Sequence, residues 1–102
     1  DLGEMIFTSG QIPVAPDGSV NEDISEQTRQ ALLNLKAVIE AGGSSLDKVI
    51  KTTVFITDMA QFGAINAVYS EFFTEPYPAR SCVQVAALPK GVSIEIEAIA
   101  LK

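Results

Sequence analysis

Apolar residues recur along this chain with two periodicities, one typical of helices and one typical of strands. The first helical stripe begins after Asp23, which forms a capping signature with Glu26, and ends at Gly42-Gly43, a pair that suits the left-handed exit of a helix. The members of the stripe are Ala31, Leu32, Leu35, Val38 and Ile39. The pattern predicts a helix from about Ile24 to Ala41 whose apolar side covers a core.

A second helical stripe follows Asp58 and Gln61, which repeat the capping signature. Its members are Phe62, Ile65, Asn66, Tyr69, Phe72 and Phe73. Pro76 cannot continue a helix, so we expect this second helix to stop there.

Strand-like segments lie on either side of these helices. Met5, Ile6 and Phe7 lead into Thr8-Ser9-Gly10, which predicts a short strand that ends where the glycine permits close backbone approach or a bulge. The prolines and glycine between Pro13 and Gly18 predict an exposed turn or hairpin loop. In the β-branched run from Val49 to Thr57, alternation predicts two faces. One face carries Ile50, Thr52, Val54 and Ile56, and the other carries Val49, Lys51, Thr53, Phe55 and Thr57.

Two further strands are predicted near the end of the chain, from Arg80 to Ala87 and from Ser93 to Leu101. The loop between them, Leu88–Val92, is short enough for antiparallel neighbours. The whole order predicts an α+β sandwich in which right-handed crossovers place both helices on one face of the sheet. The uncovered face would carry Phe55, Ile99 and Leu101 beside Lys51, Glu95 and Glu97, a mixture that favours contact with another subunit.

Composition limits the domain count and the partners. With 102 residues and 47% hydrophobic content, residues 1–102 suffice for one domain. A net charge of −6 argues against nucleic-acid binding, because a phosphate backbone attracts basic surfaces. No charged-then-apolar leader opens the chain and no apolar run approaches the roughly 20 residues that span a bilayer, so we expect a soluble protein without a membrane partner.

The reactive residue types are few. Histidine is missing, which excludes Ser-His-Asp and Cys-His catalysis and removes a common metal ligand. The single cysteine, Cys82, cannot form an intrachain disulfide or build a zinc site alone, and this favours a reducing, cytoplasmic location. Without a base to activate it, a nucleophilic role for this thiol is not expected.

Arg80 is the strongest candidate for chemistry, because it follows two prolines, Pro76 and Pro78, and begins a strand. A guanidinium held by rigid backbone can grip a carboxylate through two parallel hydrogen bonds. A surface arginine in a salt bridge is the alternative interpretation, and the spacing leaves both open.

Other candidate residues lie on neighbouring strands. Glu95 and Glu97 alternate with isoleucines, so both carboxylates project to the same side of the strand. They form either a solvated or salt-bridged stripe or, in the alternative interpretation, a site where Glu95 holds or deprotonates water. The hydroxyl of Ser9 and the amide of Gly10 are either orienting hydrogen-bond partners or residues that shape the strand end.

Three segments together resemble the signature stretches of the reactive-intermediate deaminase family, RidA or YjgF-like. They are Phe7–Pro13, Tyr77–Val83 and Ile94–Ala100, and they agree with the family in order and spacing over almost the whole chain. The resemblance implies a chorismate-mutase-like fold with a mixed sheet, and a homotrimer whose sheets face inward. It also implies a small 2-imino or 2-oxo acid ligand bound at the subunit interface.

The implied activity is hydrolysis of 2-imino acids, such as 2-iminobutanoate and 2-iminopropanoate, to 2-oxo acids and ammonia, without metal or cofactor. Arg80 would fix the carboxylate and Glu95 would position the water, while Ser9, Gly10 and the backbone at Cys82 would help to bind the substrate. Family members usually begin with a Gly-Pro-Tyr-Ser-like segment whose tyrosine approaches the substrate. This sequence starts after that segment, so part of the pocket is expected to be absent.

Two other functions stay open. Similar proteins have been described as ribonucleases or translation inhibitors, which the acidic composition and missing histidine disfavour. Others are small-ligand-binding or chaperone-like modules without turnover, since a carboxylate-binding arginine serves a receptor as well as an enzyme.

Overall fold

A computed structural model describes residues 4–102 as one mixed four-stranded sheet with two helices. In chain order the elements are β1 (Met5–Phe7), α1 (Ile24–Ala41), β2 (Val49–Ile56), α2 (Phe62–Phe72), β3 (Ala79–Gln84) and β4 (Ile94–Leu101). The strand order is β1-β4-β2-β3. β4 is antiparallel to both β1 and β2, whereas β3 is parallel to β2.

The predicted bounds of α1 are confirmed. The Asp23 side chain accepts a hydrogen bond of 3.0 Å from the Glu26 amide and caps the first turn. At the other end Gly43 takes a φ of 90°, the left-handed backbone expected after a helix. Val38, although part of the predicted apolar stripe, is exposed at the edge of the buried face.

α2 begins and ends inside the predicted bounds. The Asp58 carboxylate accepts a hydrogen bond from the Ala60 amide and caps a short 3-10 turn, Met59–Gln61, and the α-helix starts only at Phe62. It ends at Phe72, so Pro76 lies beyond the end and is not the residue that stops it. The chain is already extended at Phe73, whose ring is buried in the core.

A bulge at the start of β2 overturns part of the predicted alternation. The register between β2 and β4 shifts between Val49 and Lys51, so one extra residue is accommodated there. Val49 is therefore buried, and Ile50, predicted to share a face with Thr52, is 43% exposed. From Lys51 onward the predicted alternation holds, with Thr52 and every second residue after it buried.

The prediction that the last two strands are antiparallel neighbours is wrong. β3 stops at Gln84 and pairs in parallel with β2 at one edge of the sheet, while β4 lies on the other side of β2. The α2 crossover returns the chain parallel to β2, and the segment after β3 then passes the end of β2. Two backbone hydrogen bonds mark this passage, from Val85 to Ile56 and from Thr57 to Ser93.

The core lies between the helices and one face of the sheet. It includes Leu32, Leu35, Ile39, Val54, Ile56, Ile65, Ile94 and Ile96, all almost fully buried. Pro13–Gly18 forms a turn and not a hairpin, and two backbone hydrogen bonds close it, from the Ala15 amide to the Ser19 carbonyl and from the Gly18 amide to the Ala15 carbonyl. Within residues 4–102, neither helix is long and apolar enough to cross a membrane.

The opposite face of the sheet is not covered by either helix. Phe7 and Leu101 are 52% and 45% exposed there, and Val83 on β3 is 42% exposed. Phe55 and Ile99 lie half-buried beside Lys51, Glu95 and Glu97, as the alternation predicted. We call this surface the open sheet face.

Candidate active site

Arg80 lies at the second position of β3, where it pairs in register with buried Thr52 of β2. Residues paired in register project to the same side, so Arg80 points to the helix face of the sheet. Its Nη1 donates a hydrogen bond of 2.6 Å to Oδ1 of Asn66 on α2. Its Cζ lies 4.7 Å from the ring centroid of Tyr69 and 5.1 Å from that of Phe62, both within the range of cation–π attraction.

Tyr69 is itself held in place by contacts with β2 and with the residue that follows α2. Its hydroxyl shares a buried hydrogen bond of 2.7 Å with Oγ1 of Thr52, and its ring lies 4.7 Å from the Phe73 ring. Burial raises the pKa of the Tyr69 hydroxyl, while the bond to Thr52 and the charge of Arg80 act in the opposite direction. This ring is therefore a neutral, fixed surface beneath the guanidinium.

The guanidinium borders a cavity of about 340 Å³ that is open to solvent. Its lining is Asn66, Tyr69, Ser70, Phe73, Tyr77, Pro78 and Arg80. Apart from the bond to Asn66, Arg80 makes no hydrogen bond or salt bridge within residues 4–102, so the salt-bridge alternative is not what the structure contains. A guanidinium with unused donors beside a cavity can bind an anion, and its planar fork suits a carboxylate.

Cys82 lies two residues further along β3 and projects to the same face as Arg80. It is half-buried and packs against the core. Burial raises the pKa of this thiol, and the charge of Arg80 only partly opposes that effect. A thiol kept protonated is a poor nucleophile, as the absence of histidine predicted.

Glu95 belongs to a different cluster, on the open sheet face. It pairs in register with Phe55, and its side chain lies against the backbone of Gly10. A Cβ added to Gly10 would stand only 2.6 Å from the Glu95 carboxyl carbon, so glycine is what allows this approach. The exposed Ser9 next to Gly10 accepts two hydrogen bonds from Nε2 of the Gln11 side chain, one at its carbonyl oxygen, 3.2 Å, and one at its hydroxyl, 3.4 Å.

The predicted site residues thus form two groups within one chain. Arg80 and Cys82 lie on the helix face, whereas Glu95 lies on the open sheet face against Gly10, which Ser9 precedes in the chain. A single chain does not bring Arg80 and Glu95 to the same ligand. Among residues 4–102, no three His, Cys, Asp or Glu side chains are grouped so that they could hold a metal ion.

Sequence reasoning did not assign a role to Asn66, Tyr69, Phe62 or Thr52, which surround Arg80. One signal was available, because Asn66 is a polar residue within an otherwise mostly apolar helical stripe. Its significance depends on the parallel pairing of β3 with β2, which places the start of β3 beside α2.

The fold and the site define a class of protein, namely an α+β domain with two helices on one face of a mixed sheet and an arginine at the start of its edge strand. The sequence profile of the family described as Endoribonuclease L-PSP matches residues 1–102. The chain belongs to this family, and specifically resembles its RidA and YjgF members, which confirms the resemblance seen in three sequence segments.

Individual relatives are similar over the full length of the chain. A 2-iminobutanoate/2-iminopropanoate deaminase from Salmonella typhimurium is 57% identical, and the match covers 100% of this chain and 83% of that protein. The crystal structure of Escherichia coli TdcF with bound serine superposes with a TM-score of 0.95 at 56% identity, covering 100% of this chain and 84% of the other. The YjgF gene product of E. coli gives a TM-score of 0.95 at 55% identity, with the same coverage.

Proposed function

We propose that this protein hydrolyses reactive 2-imino acids to 2-oxo acids and ammonia. The observation that carries the proposal is Arg80, a restrained guanidinium with unused donors at the edge of an open cavity. The naming of the Salmonella relative as a 2-iminobutanoate/2-iminopropanoate deaminase supports the choice of substrate. The serine-bound structure of TdcF supports the binding of a small amino-acid-like ligand by a close relative.

In the proposed reaction, Arg80 grips the carboxylate of the substrate and fixes the adjacent C=N carbon. Protonation of the imine nitrogen makes that carbon electrophilic. Glu95 holds a water molecule, accepts its proton and allows its oxygen to form the new C–O bond. The resulting carbinolamine passes a proton to nitrogen, the C–N bond breaks, and ammonia leaves behind a 2-oxo acid. Every step uses water and protons alone, so we propose that no cofactor takes part.

We further propose that the site is completed by a second copy of the chain. Arg80 and Glu95 project from opposite faces of one sheet, so a ligand that touches both requires Glu95 from a neighbouring subunit. The proposed assembly is a homotrimer whose open sheet faces point inward, with the ligand at the subunit interface. Cys82 on the Arg80 side, and Ser9 and Gly10 beside Glu95, would then line the two halves of the site. A cytoplasmic location, where the free thiol of Cys82 is kept reduced, belongs to the same proposal.

Ammonia release from freshly generated 2-iminobutanoate and 2-iminopropanoate tests the proposed function. We expect rapid release by the purified protein, nearly abolished in Arg80→Ala and unchanged in Arg29→Ala, the matched substitution at the other arginine of the chain. If the protein binds 2-oxobutanoate but releases ammonia no faster than the reaction without protein, the non-catalytic binding function is indicated instead. RNA cleavage that survives repeated purification and is lost in Arg80→Ala would favour the ribonuclease alternative, which the net charge of −6 opposes.

A further inference from the structure

We propose that Asn66 is a positioning residue that orients the Arg80 guanidinium before substrate arrives. The inference rests on the proposed function, because it names what prepares the same arginine to bind a carboxylate. Asn66 is not assigned to touch the substrate. It acts through Arg80.

The residues that surround the guanidinium come from one side of one helix. Phe62, Asn66 and Tyr69 follow one another at four and three residues along α2, so they share a helix face. The two outer residues offer aromatic rings and the middle one offers an amide oxygen. We call these three residues the arginine cradle.

The rings and the amide of the arginine cradle restrain two different motions. The rings attract the flat face of the guanidinium and limit its tilt. The 2.6 Å hydrogen bond from Nη1 to Asn66 fixes the rotation of the group within its own plane. An exposed arginine side chain otherwise samples many rotamers, and stopping that motion on binding costs affinity.

The contact also decides which donors are left for the ligand. Asn66 accepts from Nη1, and within residues 4–102 the other two nitrogens, Nε and Nη2, make no hydrogen bond. These two atoms form one edge of the guanidinium, with parallel N–H groups that match the two oxygens of a carboxylate. Because the asparagine amide is neutral, it orients the arginine without cancelling the positive charge that attracts the substrate.

Two substitutions separate orientation from simple packing. Asn66→Ala removes the acceptor and frees the guanidinium, and we expect the Kd for 2-oxobutanoate and the KM for the imine to rise about tenfold. Asn66→Asp keeps the shape and the acceptor oxygen but adds a carboxylate that pairs with Arg80 and competes with the ligand. We therefore expect Asn66→Asp to bind 2-oxobutanoate more weakly than Asn66→Ala. A purely structural role predicts the opposite order, since aspartate is nearly isosteric with asparagine.

Side-chain NMR of the two arginines provides a readout that does not depend on activity. In the wild type we expect restricted rotation of the Arg80 Nη groups, and we expect faster rotation in Asn66→Ala. The Nη groups of Arg29, which pairs with Glu71, should rotate at the same rate in both proteins. The matched control is Asn34→Ala. Asn34 on α1 donates to the carbonyls of Ile12 and Val14, and none of its hydrogen bonds reaches the arginine cradle. We therefore expect Asn34→Ala to lower stability and to leave the Arg80 rotation unchanged.

The outcomes distinguish this inference from the proposed function. A wild type that binds 2-oxobutanoate but releases no ammonia defeats the proposed function, and the order of Kd values still decides the role of Asn66. If the Arg80 Nη groups rotate at the same rate in the wild type and in Asn66→Ala, the inference is wrong, whatever the activity. The same holds if Asn66→Asp binds 2-oxobutanoate as tightly as the wild type.

Discussion

Arg80 differs from the other arginine of the chain in what surrounds its guanidinium. Arg29 forms an exposed ion pair with Glu71, and this partner raises the pKa of the arginine and lowers that of the glutamate. Such a surface pair contributes little to stability and offers no free charge to a ligand. Arg80 instead meets two rings and one neutral amide, so its charge stays available.

We predict that Arg80→Lys removes most of the imine hydrolysis while the fold stays intact. Lysine keeps the charge but replaces the planar fork with a point charge, so the carboxylate is attracted without being oriented. The loss of a charged bidentate contact costs on the order of 1.5 to 3 kcal/mol, or about one to two powers of ten in kcat/KM. Ammonia release under steady-state conditions measures this effect.

Cys82→Ser is the internal control for the same assay. We expect it to reduce the rate far less, since burial keeps the thiol protonated and no base activates it. An Arg80→Lys variant as active as the wild type, together with an inactive Cys82→Ser variant, would replace the carboxylate clamp with a thiol mechanism.

Gly10 gives a second prediction at this scale. In Gly10→Ala the new methyl group would overlap the Glu95 carboxyl group, so this side chain must move away from its position. If Glu95 holds the water, we expect kcat to fall about tenfold or more, with a smaller change in KM. Gly63→Ala on α2 is the matched control, because a methyl group there meets nothing within 4 Å. Normal kcat in Gly10→Ala would remove Glu95 from the mechanism.

The residue-level predictions succeeded where they depended only on alternation. The common face of Arg80 and Cys82, and the projection of Glu95 and Glu97 away from the isoleucines, follow from a period of two. The neighbours of Arg80 could not be found in this way. Asn66 lies 14 residues before it and meets it only because β3 runs parallel to β2 beside α2.

At the scale of elements, local signals succeeded and long-range pairing did not. The bounds of α1 were predictable because its cap, apolar stripe and terminal glycines all lie within one continuous segment. The bulge in β2 was not, since nothing in the run of β-branched residues marks where an extra residue is accommodated. The neighbour of β3 was misassigned because a short loop permits antiparallel pairing without requiring it.

The cap of α1 provides a prediction about stability. Asp23→Ala removes the acceptor for the Glu26 amide, and we expect the free energy of unfolding to fall by about 1 kcal/mol. Urea unfolding followed by circular dichroism measures the change. Glu22→Ala, one residue earlier and also exposed, is the control and should change stability much less. Equal effects of the two substitutions would mean that general charge near the helix start matters and the specific cap does not.

At the scale of the whole molecule, the division of the candidate site between two faces is the main consequence of the topology. The helices bury one face of the sheet along β2 and β4 but leave much of the edge strand β3 exposed, and the other face is open and partly apolar. The sequence indicated this open face through the strand alternation, which places Phe55, Ile99 and Leu101 on one side together with charged residues. It could not indicate how many copies would pack against this face in the proposed assembly, because that number depends on the angle between packed surfaces.

We predict that the protein is a homotrimer at micromolar concentration, as measured by sedimentation equilibrium. Phe7→Asp places a charge on the open sheet face, where Phe7 is 52% exposed in the single chain, and we expect it to shift the population toward monomer without unfolding it. Leu33→Asp on the exposed side of α1, where Leu33 is 45% exposed, is the control and should leave the trimer intact. A folded wild type that sediments as a monomer would remove the basis for a site between subunits.

The last prediction concerns which subunit supplies each residue of the site. Arg80→Ala and Glu95→Gln are each expected to be inactive alone, and the two inactive proteins are then unfolded together and refolded as mixed trimers. If each site takes Arg80 from one subunit and Glu95 from its neighbour, random mixing at equal amounts restores intact sites at about a quarter of the positions. Ammonia release by the mixture should therefore approach about a quarter of the wild-type rate, while mixing without unfolding gives none. If both residues acted from the same subunit, no mixed trimer could contain an intact site, and the mixture would stay inactive.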